Sequence, residues 1–482
     1  MSAPLFANYI GGRWVESGLR FENRNPANPD ELIGWFSKGR PEDMASAAEA
    51  AGRAFPGWAG LTGPARGAYL YRAAEILDSR FEQIATEMTR EEGKTLAESK
   101  GEVRRSINIL RYFAGEGSRL FGIQAPSERE RVHAFSVRKP LGVVALVTPW
   151  NFPLAIPAWK AAPALVCGNT VVLKPASAAP LCAWRMVEAL AEAGIPEGVI
   201  NFVAGSGGEL GEALLSAPQV KAVSFTGSCQ VGNRLHQEAS RRRLRIQLEM
   251  GGKNPAVVLA DADLDSAVET TVNGAFFATG QRCTATSRAI VEAPIYDRFL
   301  EALIARTRKL RVGNGLEPGV DVGPVVDAAQ LDTVLRYVEI ARGEGARLAF
   351  GGRRLTDGPL EKGYFVEPTI FADVTEEMTI AREEIFGPVL AVMRAKDYED
   401  AVRMANSTSF GLSASIQTSS LSRAFDFIQR SETGLVMVNL PSAGIDYPMP
   451  FGGTKDSSFG PKEQGPAAIE FYTDLKTVYV KY

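Results

Sequence analysis

Only two histidines, His133 and His236, occur in 482 residues, and the four cysteines, Cys167, Cys182, Cys229 and Cys283, show no C-x-x-C spacing. Without clustered Cys, His, Asp and Glu at ligand spacing, metal chemistry has no material to build a zinc site from. Thiols scattered this way fit a reducing interior rather than a disulfide framework. Charge of one sign is missing too: 53 basic and 56 acidic residues leave a net −3. That excludes a global field for nucleic acid, and the run Arg241-Arg242-Arg243 with Arg245 reads as a solvated face. Long unbroken apolar stretches are absent. The most apolar region, Leu141 to Ala164, carries Pro149, Pro153, Pro157 and Pro163, which a membrane helix of about 20 residues tolerates poorly, so a buried core is expected there. Met1 to Ile10 has neither a basic start nor a long apolar core, so no secretion signal is expected and the cytoplasm is. There is no internal repeat and no low-complexity tract.

What is present is material for two or three packed domains, with 45% hydrophobic residues to fill them. Residues 42–116 show apolar residues at three- and four-residue spacing, notably in Met44 to Phe55 and Ala68 to Glu92, and are expected to be helical. Short β-branched runs follow at Val143 to Val147, Thr170 to Leu173, Val199 to Val203 and Ala222 to Phe225. Helical spacing lies between them at Ala183 to Ala193 and Leu210 to Leu215. Strands apolar on both faces that alternate with helices indicate a parallel α/β sheet. The alternation resumes at Ala256 to Leu259, with helices expected over Ser266 to Ala278 and Tyr296 to Lys309 around the strand Ala289 to Val291, which suggests a second α/β domain. Arg131 to Arg138 and Thr477 to Val480 alternate polar and apolar residues. These two outlying strands either pair across subunits or edge their own domains.

Ligands of open α/β sheets bind beyond the carboxyl ends of the strands. Four polar or glycine-rich turns follow such ends here: Thr148-Pro149-Trp150-Asn151-Phe152-Pro153, Lys174-Pro175-Ala176-Ser177, Gly205-Ser206-Gly207-Gly208 and Phe225-Thr226-Gly227-Ser228. The Gly205 turn does not match a dinucleotide fingerprint and reads equally as an ordinary strand-to-helix turn. Downstream, Glu249-Met250-Gly251-Gly252-Lys253 precedes Gly280-Gln281-Arg282-Cys283-Thr284. A thiol with no histidine beside it and a lone carboxylate upstream suggests covalent thioester chemistry rather than a protease. By themselves Cys283 also fits a buried small hydrophobe, Glu249 a strand-end ion-pair partner and Asn151 a turn former.

Through these motifs, together with Glu384-Ile385-Phe386-Gly387-Pro388 and Pro450-Phe451-Gly452-Gly453, the chain resembles the aldehyde dehydrogenase superfamily from near residue 8 to its C-terminus. The resemblance implies an α/β fold in three parts. A Rossmann-like parallel-sheet cofactor domain would take residues 1–120 and 140–250, an α/β catalytic domain 251–465, and a small β bridging unit 121–139 and 466–482. Such subunits form homodimers, often paired into homotetramers. The implied activity is NAD(P)-dependent oxidation of an aldehyde to an acid, with no metal. Cys283 would be the nucleophile, with the Asn151 amide and the Cys283 backbone N–H holding the oxyanion and Glu249 acting as the base for water. In the cofactor site, Lys174 would bond the adenosine ribose, Glu384 the nicotinamide ribose, and Phe386 would pack beside the nicotinamide. Thr148, Pro149, Trp150, Gly205, Thr226 and Gly227 would line the crevice, and Ser228 would serve the pyrophosphate at a helix N-terminus. As plain residues, Lys174 fits a solvated strand-end lysine, Glu384 a surface acid, Phe386 core packing and Ser228 a helix cap.

Two departures bear on specificity. Many NAD-preferring relatives carry a glutamate where this chain has Ser177; without its charge, and with Lys174 nearby, NADP is expected to be used at least as well as NAD. Several succinate-semialdehyde dehydrogenases place a carboxylate-binding arginine before the lysine after the Asn-Phe-Pro turn, whereas Trp159 precedes Lys160 here. The stretches Asp446 to Gly453, Gly460 to Gly465 and Gly280 to Arg288 look more like 2-oxoglutarate-semialdehyde (2,5-dioxopentanoate) dehydrogenases. Succinate semialdehyde or an aromatic aldehyde is the alternative substrate. Glu249 argues against a coenzyme A-dependent acylating enzyme, and the placement of both histidines against a cofactor-independent cysteine hydrolase.

Overall fold

The computed structural model describes residues 3–482; Met1 and Ser2, where the first expected range and the N-terminal reading begin, lie outside the described residues. Its first large sheet holds five parallel strands in the order Arg245–Glu249, Val220–Thr226, Val143–Val147, Thr170–Lys174, Ile200–Phe202. Short antiparallel strands, Ser458–Phe459 and Asn8–Ile10, close its two sides. Side chains alternate across the pleat, so Val143 and Ala145 join one core with helix Pro41–Gly60, while Val144 and Leu146 join the other with helices Gly63–Ser79, Leu96–Glu116 and Ala155–Val166. The chain enters at Val143–Val147, runs outward through the next two strands, then returns to the other side with Val220–Thr226. That reversal opens a crevice between the carboxyl ends of the two neighbouring strands, where helices depart to opposite faces.

A second sheet of seven strands runs Arg347–Phe350, Thr369–Ala372, Val389–Ala395, Thr286–Glu292, Asn254–Val258, Ser413–Gln417, Leu435–Val438, parallel except for its first edge. The expected α/β alternation is therefore present in both halves. The outlying strands edge neither large sheet. They pair with each other in one chain, from Thr473 opposite Pro140 to Lys481 opposite Val132, with Gln124–Pro126 alongside.

Several expectations need correction. Ala68 to Glu92 is two helices, Gly63–Ser79 and Phe81–Glu92, because Arg80 (φ −109°, ψ 18°) leaves helical geometry. The proline-rich apolar region contains a buried helix, Ala155–Val166; Pro157 falls in its first turn, where amide hydrogens have no helical partner anyway. The helix expected to reach Ala278 stops at Phe276, since Ala278 and Thr279 take positive φ before Gly280. A side chain at Gly280 would meet the Gly387 carbonyl at 2.3 Å, so this tight turn requires glycine on the approach to Cys283. The strands Leu5–Phe6, Arg20–Asn25 and Asn28–Ser37 form a small sheet with no counterpart in the sequence reading. Among the described residues, no helix is long and apolar enough to cross a membrane, and no group of three or more His, Cys, Asp or Glu is gathered as metal ligands.

Candidate active site

The crevice at the reversal is a cleft of about 210 Å³ whose walls include Pro149, Trp150, Thr226, Gly227, Ser228, Glu384 and Phe386, and it reaches Asn151 and Cys283. Trp150 meets Phe386 edge to face, with ring centres 5.3 Å apart. Phe386 sits at φ +58°, and the Gln330 side-chain amide holds it there by donating to the carbonyls of Ile385 and Phe386, both at 2.9 Å. Glu384 Oε1 accepts from the Gly252 amide at 2.9 Å, and a Cβ at Gly251 would lie 2.0 Å from Glu384 Oε2. Burial pushes the Glu384 carboxyl up to about 7, against the opposing pull of the Gly252 N–H and Lys253. Ser228 caps helix Cys229–Arg241 by accepting from the Val231 amide at 3.4 Å, so the capping reading holds at a residue that also faces the cleft.

Lys174, Ser177 and Gly205 gather beyond the end of strand Thr170–Lys174, outside this part of the cleft. Lys174 Nζ donates to the Pro175 carbonyl at 2.9 Å, and the Ser177 hydroxyl donates to the Gly205 carbonyl at 2.8 Å. Burial lowers Lys174 to about 8, and it has no carboxylate partner among the described residues. The hydroxyls of Thr148 and Thr226 are buried with no hydrogen-bond partner in the protein. Buried polar atoms normally have one, so these two are free for a ligand.

Cys283 belongs to a second cavity as well, of about 290 Å³, whose walls include Lys94, Glu102, Arg105, Phe152, Trp159, Arg282 and Phe451. It is thus the thiol shared by the two. Burial, then the charges of Glu384 and Glu249, push this thiol up to about 12. Its carbonyl accepts from Asn254 Nδ2 at 2.8 Å, which fixes the local backbone. Asn151 spends one amide hydrogen on the Gln281 carbonyl, at 2.9 Å, and keeps the second. The Asn151 loop is held from below by buried Lys94, whose Nζ donates to the Asn151 carbonyl and to Glu102 Oε2, both at 2.7 Å. Glu102 Oε1 in turn accepts from the amides of Leu154 and Ala155 at 3.0 Å.

Glu249 ends its strand between Thr226 and Ser458, in the wall of neither cavity. The Ser458 hydroxyl donates to its Oε2 at 2.6 Å, and Gly452 (φ +144°) packs so closely that a Cβ there would sit 2.6 Å from Oε1. Burial, and then the neighbouring Glu463, hold the Glu249 carboxyl well above the usual carboxylate range; Ser458, Lys160 and Lys462 oppose them. Glu463 is itself ion-paired with Lys160 and accepts from Trp159 Nε1 at 2.8 Å. Neither histidine approaches Cys283: His133 lies opposite Val480 in the small sheet, and His236 meets Phe459 edge to face with centres 4.3 Å apart. The sequence reading overlooked Lys94, Glu102, Lys160, Ser458 and Glu463 as parts of the site. Lys160, a lone charge in a wholly apolar helix, carried a usable signal; the others carried none.

Residues 14–478 match the aldehyde dehydrogenase family. An alpha-ketoglutaric semialdehyde dehydrogenase of Bacillus subtilis is 48% identical over 478 residues, covering 99% of this chain and 98% of that protein. A 2,5-dioxopentanoate dehydrogenase of Saccharolobus solfataricus is 44% identical, covering 98% of each. The crystal structure of betaine aldehyde dehydrogenase from Staphylococcus aureus in complex with NAD+ superposes with a TM-score of 0.96 at 35% identity, over 98% of this chain and 94% of that one. With the switch-point cleft, the shared thiol and this full-length likeness, the chain belongs to the aldehyde dehydrogenase family.

Proposed function

We propose that the chain oxidises 2-oxoglutarate semialdehyde to 2-oxoglutarate with a nicotinamide dinucleotide, through a thioester on Cys283. The observation that carries the reading is the position of Cys283 as the one thiol bordering both the strand-reversal cleft and the second cavity. Two relatives spanning nearly the whole chain bear the name of this semialdehyde or its synonym, which supports the substrate.

The cleft fits a dinucleotide. Thr226 offers an unpartnered hydroxyl, Gly227 and Gly251 leave space where side chains would intrude, and helix Cys229–Arg241 starts at its wall. Glu384 and Phe386 would hold the nicotinamide half; Lys174, Ser177 and Gly205 would hold the adenosine half. When bound, the cofactor accepts the hydride that leaves the substrate carbon. Cys283, protonated at rest because burial raises its thiol to about 12, adds to the aldehyde carbon as the thiolate, its proton leaving to water in the open cavity. The free Asn151 N–H and the Cys283 backbone N–H take the negative charge that develops on oxygen. Once the carbon is at the acyl level, Glu249 turns from Ser458, takes a proton from water, and the hydroxide so formed displaces Cys283 Sγ from the acyl carbon. Burial and Glu463 raise the pKa of Glu249, which makes the ionised carboxylate a stronger proton acceptor than an exposed one.

With Ser177 in place of an acid and Lys174 buried without a carboxylate partner, a 2′-phosphate meets no repulsion, so NADP is used at least comparably with NAD. The expected division into a cofactor part (1–120 and 140–250), a catalytic part (251–465) and a bridging part (121–139 and 466–482) is retained in this reading. Exposed Val137, Leu475, Tyr479 and Val480 on the small sheet support its use in a homodimer or homotetramer, and the setting is cytoplasmic. The test is formation of reduced cofactor without coenzyme A, using 2-oxoglutarate semialdehyde, succinate semialdehyde and benzaldehyde with each cofactor. The highest kcat/KM is expected for 2-oxoglutarate semialdehyde, with NADP at least equal to NAD. Turnover of that substrate orders of magnitude slower than of the other two overturns the assignment, and a clear NAD preference overturns the cofactor reading.

A further inference from the structure

Three cations line the cavity beyond Cys283, and two of them are already neutralised. Lys94 pairs with Glu102 at 2.7 Å and lies 3.7 Å from Glu92; Arg282 pairs with Glu98 at 3.2 Å. Arg105, on helix Leu96–Glu116, forms no ion pair among the described residues. Its guanidinium stands 5.8 Å over the Trp159 ring, donates to the Ile445 carbonyl, and donates to Gln464 Oε1 at 3.1 Å. Its Nε is buried with no acceptor. A guanidinium carries five N–H donors in a fixed fork, and neutral acceptors here satisfy only part of them.

Glu102 and Asp446 act on this largely enclosed cation only at a distance, without ion-pair contact, and an anion brought in by a ligand would compensate it with charge-assisted, geometrically matched bonds. The wall's two carboxylates, Glu98 and Glu102, are taken up by Arg282 and Lys94, and its rings, Phe152, Trp159 and Phe451, suit a short carbon chain between the thiol and the charge. We propose that Arg105 binds the carboxylate of the substrate, so that the cavity selects aldehydes bearing an anionic group at the end remote from the reacting carbon. The assignment rests on the proposed function in taking Cys283 as the nucleophile and this cavity as the aldehyde's path. It adds the residue that sets the substrate class. It also places the selecting cation on a helix other than the one bearing Trp159, where the sequence reading found no arginine.

The test compares the wild type with Arg105→Met and Arg105→Lys on 2-oxoglutarate semialdehyde, succinate semialdehyde and pentanal, a neutral aldehyde. The measured quantity is the ratio of kcat/KM for each charged aldehyde to that for pentanal. In R105M this ratio falls by about 100-fold, mainly through KM, and competitive inhibition by 2-oxoglutarate weakens in parallel. R105K, which keeps the charge but not the fork, falls between the two. Cofactor binding, followed by fluorescence, and the melting temperature report whether R105M is folded; if it is not, R105K alone decides, with a fall in the ratio of about 10-fold expected. A ratio unchanged in the folded variants, while the wild type still prefers the charged aldehydes, overturns the role of Arg105 and leaves the substrate reading standing. A wild type that prefers succinate semialdehyde, with the ratio still lost in R105M, overturns the named substrate and leaves Arg105 standing. A wild type that prefers pentanal overturns both.

Discussion

Replacing Lys94 with methionine removes the cation on which the Asn151 loop rests, and the structure sets how much this should cost. Lys94, Glu92 and Glu102 have side chains only 1%, 0% and 2% exposed, so water cannot take over the lost charge. Breaking a buried pair from one side costs about 3–5 kcal/mol. For a cooperative unit of 482 residues, at about 2.1 cal/mol/K of unfolding entropy per residue, that corresponds to a fall in Tm on the order of 4 °C. The deficit also depends on pH. Burial raises the Glu92 carboxyl from 4.5 to about 7, with Lys94 the chief influence opposing it. A carboxyl raised on folding contributes stability that is complete below its unfolded pKa and is lost as pH rises through its folded one. Here the window runs from 4.5 to about 7, and the loss is about 3 kcal/mol in the wild type. Without Lys94 the folded value climbs further, and ionised Glu92 becomes more costly. The difference in Tm between wild type and K94M should therefore grow as pH rises from about 5 to above about 8. Scanning calorimetry of the complete protein across that range measures it. Because Lys94 also holds the Asn151 carbonyl at 2.7 Å, kcat should fall at least about 10-fold even where K94M is folded. A Tm difference below about 2 °C, or one independent of pH, would refute the claim that this pair is buried and compensating.

Two further substitutions probe the base. In Glu249→Gln, steady-state turnover should fall by about 100-fold or more while mixing still gives a burst of reduced cofactor, as the thioester forms but is not hydrolysed. Because the wild-type carboxyl is held well above 4.5, the rate should rise with pH along a limb above the ordinary carboxylate range, and that limb should vanish in E249Q. A limb near 4.5, or full turnover by the variant, contradicts the assignment. Gly452→Ala should cost about 1–3 kcal/mol from its positive φ and displace Glu249 from Ser458, lowering both Tm and kcat. By contrast Gly57→Ala, in an exposed helix position with nothing within 4 Å, should be neutral or slightly stabilising. Equal melting temperatures for the two variants would remove the steric argument at Gly452.

The alternation of apolar runs and helical spacing made the two α/β sheets legible, because a parallel strand buried on both faces has a composition of its own. Val143 to Val147 and Ala256 to Leu259 are such runs. The turn motifs marked Cys283, Asn151, Glu384 and Phe386 because close backbone approach and exposed reactive groups demand unusual local residues. The N-terminal hairpin was not legible, since Arg20–Asn25 and the start of Asn28–Ser37 are mostly polar and the connecting Pro26-Ala27 is not one of the usual glycine-containing hairpin turns. Nor was the split at Arg80, where local helix propensity gives no warning that the chain must turn to pack.

Sequence by itself determined the reagents: a thiol without histidine, a carboxylate beside glycines, and polar or glycine-rich turns beyond the strand ends. Only tertiary structure decided their state. Glu249 lies 214 residues before Glu463, and Lys160 another 89 before Glu249, yet the fold gathers the three: burial and Glu463 hold the base above its ordinary range, and Lys160 opposes them. Arg105 is indistinguishable in sequence from its neighbour Arg104, which pairs with Asp78 at 2.9 Å. One turns outward to a carboxylate and the other inward without one, because a helix places successive residues about 100° apart and only packing selects which of them faces the cavity.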